Sequence, residues 1–141
     1  MMNGLMAYLP TLQQLAGLAA VLGVGLAFIG LGAVVVGGRR LVEADLVSGW
    51  AVGCLFFTLV GVAAPLPFTL LAAVMAVASL AALYVVRRRD GRLVAAGGIR
   101  ILLLAAPLLL VASAMAPSQW DEFSHWLVSE RYLLDVDAFP R

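Results

Sequence analysis

Two stretches of this chain rule out an ordinary soluble fold: no charged residue occurs from Met1 to Gly38, and none from Leu46 to Val86. A soluble domain scatters charge along its exposed faces, because roughly a third of its surface stays in water even after folding. Here 64% of residues are hydrophobic and 12% charged, against about 45–50% and about 25% in soluble domains. A bilayer removes the conflict by acting as the solvent for the apolar surface. The N-terminal stretch lacks the charged n-region of a secretory signal, and its apolar part is longer than an h-region, so it is read as a retained span. Cys54 is the single cysteine, which excludes a disulfide framework or a thiolate metal site and leaves it a buried thiol among apolar neighbours. A net charge of +1 with no basic tail gives no footing for nucleic acid.

A spanning helix needs about 20 mostly apolar residues. The first is expected at about 15–36, closed by Gly37, Gly38, Arg39 and Arg40. The run from Leu46 to Val86 is too long for one span, and Pro65-Leu66-Pro67 breaks it near the middle. Proline removes a backbone donor and turns the preceding residue away from helix, so two spans are expected, at about 48–64 and 68–86. A fourth, at about 101–116, is short. Its eight Leu, Ile and Val residues favour insertion by roughly −2 to −5 kcal/mol. Pro107 is expected to kink it, with neighbouring helices satisfying the freed carbonyl. The fold class is therefore all-α membrane protein: a four-span bundle over residues 1–116, then an outer-face segment over 117–141 with an interfacial amphipathic helix.

Arginine placement orients the bundle. Arg39 and Arg40 follow the first span; Arg87, Arg88, Arg89, Arg92 and Arg100 lie in or beside the loop after the third. Seven of the nine basic residues thus fall on one side, which the positive-inside rule makes cytoplasmic. The N-terminus, the proline turn and the tail from Pro117 are then outside. Arg87 to Arg89 read as a topology anchor, and Glu43 and Asp45 as charge partners of the cytoplasmic arginines. Gly49 with Gly53, and Ala19, Gly23 and Ala27, stand at the small-residue spacing that lets helices approach closely. Tyr8, Trp50, Trp120 and Trp126 are placed near span ends, where interfacial aromatics gather.

Polar chemistry is concentrated after Pro117. Ser118 and Asp121 can form a capping box. A helix from there, turning about 100° per residue, gathers Trp120, Phe123, Leu127 and Leu134 on one side and Asp121, His125 and Tyr132 on the other. The apolar side suits the membrane surface or the bundle. Asp121 and Glu122 could take a proton from an attacking hydroxyl, hold a hard divalent cation such as Mg or Mn, or stand solvated at the interface. His125 could pair with Asp121 one turn away or hold a phosphate on its protonated ring.

Trp120-Asp121-Glu122-Phe123-Ser124-His125-Trp126 follows a span ending in Ala-Pro and precedes Tyr132-Leu133 and Phe139-Pro140. This run resembles the first outer loop of GT-C type membrane glycosyltransferases, the mannosyl- and aminoarabinose-transferase-like bacterial proteins. The Gly-Arg-Arg turn, the acidic pair, the proline-split hairpin and the arginine-rich loop extend the resemblance over nearly the whole chain. It implies a bacterial inner-membrane protein using a sugar on a polyprenyl phosphate at the periplasmic face. Asp121 then matches the acidic residue that activates the acceptor or helps hold a metal near the donor phosphate. Glu122 matches the second acid and His125 a histidine common in that helix. Family members carry many more spans, whose later loops bind the donor. The chain is therefore expected to act as an N-terminal part or one half of a split enzyme, or to be a degenerate paralogue. It is expected to be inactive alone and to need further membrane helices or a partner subunit.

The alternative is a non-enzymatic four-span accessory or scaffold subunit that docks through Trp120, Phe123 and Leu127. A transporter or channel is disfavoured, because ionisable residues inside spans mark such pathways and the four expected spans contain none.

Overall fold

The computed structural model describes residues 10–38, 40–64, 66–114 and 127–138, and among these all regular structure is helical. In chain order the helices are α1 (Leu12–Val36), α2 (Val42–Ala63), α3 (Phe68–Asp90), α4 (Gly98–Ala114) and α5 (Leu127–Val136). The first three are long and apolar enough to cross a membrane, and α4 is a shorter apolar helix. At 1.5 Å per residue α1 reaches about 37 Å and α4 about 25 Å, against a hydrocarbon core of about 30 Å. This is the architecture an integral membrane protein requires.

Each span begins a little before its expected start or ends a little after its expected end, for local reasons. At α1, Thr11 accepts from the Gln14 amide while the Gln14 side chain accepts from the Thr11 amide, a reciprocal cap that adds a turn. At α2, Glu43 and Asp45 lie in the first turn, where the positive end of the helix dipole favours carboxylates. At α3, Arg87, Arg88 and Arg89 occupy the last turn, where the dipole favours cations. There Gly91, at φ 69°, closes the helix by donating to the Arg87 carbonyl.

The central helix is α1, which packs against α2, α3 and α4; the hairpin partners α2 and α3 touch each other far less. Glycine sets the α1–α2 approach. A Cβ on Gly32 would overlap the backbone carbonyl of Asp45, and one on Gly49 the backbone carbonyl of Phe28. Gly53 receives the edge of the Phe28 ring. With no hydrophobic force between helices in lipid, such close packing is what holds them together. The expected Gly49–Gly53 pair is therefore at the interface. The expected ladder of Ala19, Gly23 and Ala27 is not, since Gly23 faces open space. The helices meet instead at the C-terminal half of α1, through Gly30, Gly32 and Ala33. On α3, Leu71, Ser79, Ala82 and Val86 form the buried stripe.

Most remaining large apolar side chains point outward, including Leu103, Leu104 and Leu108 of α4, as lipid-facing surface should. Trp50 sits inside α2 rather than at its end, and Cys54 is exposed rather than buried. Both are exposed, each one position after a glycine of the α1–α2 contact and so turned about 100° from it.

Gly49→Ala should destabilise the protein by about 1–3 kcal/mol, the usual cost of overpacking, because backbone rather than a flexible side chain is in the way. Gly23→Ala should be neutral or gain up to about 1 kcal/mol from helix propensity. Unfolding of the two variants in mixed micelles measures the difference.

Candidate functional site

The described charged residues of α1 to α4 and their connections gather at one end of the bundle, and the tail meets the other. At one end lie Arg40, Arg87, Arg88, Arg89, Arg92 and Arg100, contributed by the α1–α2 connection, the end of α3, the α3–α4 loop and the start of α4. Their centre is Arg40, whose side chain is 6% exposed. Its Nε donates to Asp45 Oδ2 at 2.9 Å, Nη1 to Asp90 Oδ2 at 3.0 Å, and Nη2 to the Leu93 carbonyl at 2.9 Å. One planar fork thus joins the start of α2, the end of α3 and the loop beyond it. Arg89 extends the network. It clasps Asp90 at 2.8 and 3.2 Å and donates to the Ala33 carbonyl of α1 at 3.0 Å.

Asp45 is fully buried, with Oδ2 on Arg40 and Oδ1 lacking a hydrogen-bond partner. The expected pairing of Asp45 with a neighbouring arginine is therefore present, whereas Glu43 forms no ion pair among the described residues. Two of the three arginines at the α3 terminus are held locally. Arg88 lies over the Tyr84 ring and donates to its hydroxyl, and Arg87 donates to the Gly91 carbonyl. That local engagement fits an anchoring role.

At the other end, α3 begins at Pro67 with no side-chain cap of its own. The cap comes from the tail. The Asp137 carbonyl accepts from the Phe68 amide at 2.9 Å, Oδ1 from the Thr69 amide at 2.7 Å, and Oδ2 from the Thr69 hydroxyl at 2.6 Å. These amides are among the four that a helix start leaves unsatisfied. Asp137 adopts φ 50°, a left-handed conformation that aspartate tolerates better than most residues. Hydrogen bonds from Thr69 hold its carboxyl below the usual carboxylate range. The tail thus returns to the α2–α3 turn, at the end away from the described arginines of the spans.

The expected site residues Asp121, Glu122 and His125 lie outside the described residues, as does the expected helix start at Ser118. The described part of the tail helix is α5, which buries none of its side chains; Leu134, expected on its apolar face, is 82% exposed. Among the described residues no group of three His, Cys, Asp or Glu could hold a metal ion. Asp90 and Asp137 were not singled out from the sequence. Asp90 carries a signal in hindsight, as an acid directly after three arginines. For Asp137 the only hint is the uncapped start of α3, far away in the chain.

Two predictions follow from these ends. Arg40→Met leaves the buried Asp45 carboxylate unpaired and should cost about 3–5 kcal/mol, whereas the double variant with Asp45→Ala should recover much of that loss. Denaturation of the single and double variants in micelles reads this out. For Asp137, folding lowers the carboxyl pKa. Its contribution is therefore present above the unfolded pKa and is lost as pH falls through the lower folded value. Protection of the Thr69 amide against hydrogen exchange, corrected for intrinsic rate, should persist through mildly acidic pH and collapse only in stronger acid. Asp137→Ala should remove that protection at every pH.

Comparison with protein-family models, with curated proteins and with solved structures found no match to this chain.

Proposed function

We propose that this chain is the N-terminal membrane module of a GT-C type glycosyltransferase, moving a sugar from a polyprenyl phosphate at the outer face of a bacterial inner membrane. The observation that carries the reading is the Trp120-Asp121-Glu122…His125 cluster directly after the fourth apolar stretch. In this reading α4 is a fourth span. The arginine-rich end lies in the cytoplasm, and the N-terminus and tail are periplasmic. Two features of the fold support it. The described span-associated arginines share one end, as the positive-inside rule demands. The tail is fastened by Asp137 to the start of α3, at the opposite end.

Asp121 would act as the general base on the acceptor hydroxyl, or with Glu122 as an oxygen ligand to Mg or Mn beside the donor phosphate. His125 would contribute a charge to that phosphate. Each role matches its residue's chemistry: carboxylate oxygens accept protons and bind hard cations, and a protonated imidazole donates to phosphate. Donor-binding loops would come from further helices that complete the assembly.

The second reading is a non-enzymatic accessory or scaffold subunit. What favours it is α5, where Leu134 is 82% exposed on the face it shares with Leu127, leaving that apolar side free for a partner.

One experiment separates the two. In the complete membrane assembly, Asp121→Asn should lower sugar transfer by about 100-fold or more, the usual worth of a general base, with insertion unchanged. Undiminished turnover would remove the transferase reading and leave the accessory one.

A further inference from the structure

Two cavities adjoin at the arginine-rich end. One is a groove of about 510 Å³ between α1, α2 and α4, walled by Val21, Leu22, Leu46, Ile101 and Leu102, with Glu43 as the only charged residue in its lining among the described residues. Its wall at Gly25 is open, since a Cβ there would meet nothing within 4 Å. The other is a polar pocket of about 450 Å³ bordered by Gly38, Arg40, Leu41, Asp90, Arg92 and Ala96. The two share a boundary along the chain. Leu41 faces the polar pocket and Val42 the groove, and Arg92 faces the pocket while Val94 faces the groove.

The groove is almost wholly apolar and lies among helices apolar enough to sit among acyl chains. The pocket beside it differs in character. Arg40 is already committed to Asp45, Asp90 and the Leu93 carbonyl. Arg92 is exposed and forms no ion pair among the described residues, so its guanidinium is available at the mouth of the pocket. A guanidinium presents a planar fork that suits phosphate oxygens. Glu43 and Val42 mark the end of the groove nearest the pocket, and the far end is lined by apolar side chains such as Val21, Leu22 and Ala105, so the phosphate of an amphiphile finds a cation only at Arg92.

We propose that these two cavities together form a binding site for an anionic phospholipid, with an acyl chain lying between α1, α2 and α4 and the phosphate on Arg92. The assignment is independent of the transferase reading, and sits at the opposite end of the bundle from Asp121 in that reading.

The test is native mass spectrometry of the full chain, released from micelles that contain equal amounts of phosphatidylglycerol and phosphatidylcholine. The wild-type protein should retain phosphatidylglycerol about fivefold over phosphatidylcholine, the value of one basic residue at an anionic surface. Arg92→Gln, an exposed loop change, should reduce the two lipids to near-equal retention. Gly25→Leu fills the groove without a clash and should lower retention of both, with helicity and melting temperature preserved. Equal retention by the wild type, a preference that survives Arg92→Gln, or undiminished retention by Gly25→Leu would each overturn the proposal. So would displacement of the lipid by free glycerol phosphate at concentrations comparable to the lipid itself, because the groove would then contribute nothing.

Discussion

One buried guanidinium coordinates the basic end of the molecule. Arg40 meets a carboxylate at the start of α2, a carboxylate at the end of α3 and a loop carbonyl, all at about hydrogen-bonding distance. Because Asp45 is fully buried, neither member of the pair can leave without stranding the other charge. The glycine contacts of α1 with α2 depend on the same geometry. Asp45 supplies both the carboxylate that Arg40 grips and the backbone carbonyl that presses on Gly32. Electrostatic fastening and close backbone packing thus converge on a single residue, and α1 becomes the axis on which the other apolar helices pack.

The apolar helices were legible because bilayer thickness and proline chemistry act locally. Uncharged runs and Pro65-Leu66-Pro67 were enough to establish the existence of α1, α2 and α3, with α1 starting three residues early, α2 six residues early and α3 ending four residues late. The differences arose where a short-range signal was missed, such as the reciprocal Thr11–Gln14 cap, or where charged ends continued the helix, as at Glu43 and Asp45 or Arg87 to Arg89. Packing was less legible. Small-residue spacing occurs on several faces of α1, and nothing local distinguishes Gly32, which meets a backbone, from Gly23, which meets none. The crossing point is a property of two helices together.

The polar residues divide along the same line. Asp45 could be matched to an arginine because the two are near in sequence. Asp90 and Asp137 act on partners far along the chain, where no pattern in a single sequence points. Asp121, Glu122 and His125 are proposed from a motif and not from geometry, so the functional reading rests on residue identity and on the end of the bundle to which the tail is tied.

That tie has a consequence for how the protein is made. Thr69 and Asp137 stand 68 positions apart, so α3 enters the bilayer during synthesis with its leading amides uncovered. They stay that way until α4 and α5 have emerged from the ribosome. The turn between α2 and α3 therefore acquires its final rigidity among the last steps of biogenesis, and a nascent chain halted before Asp137 would carry a frayed third helix despite having every residue of that helix in place.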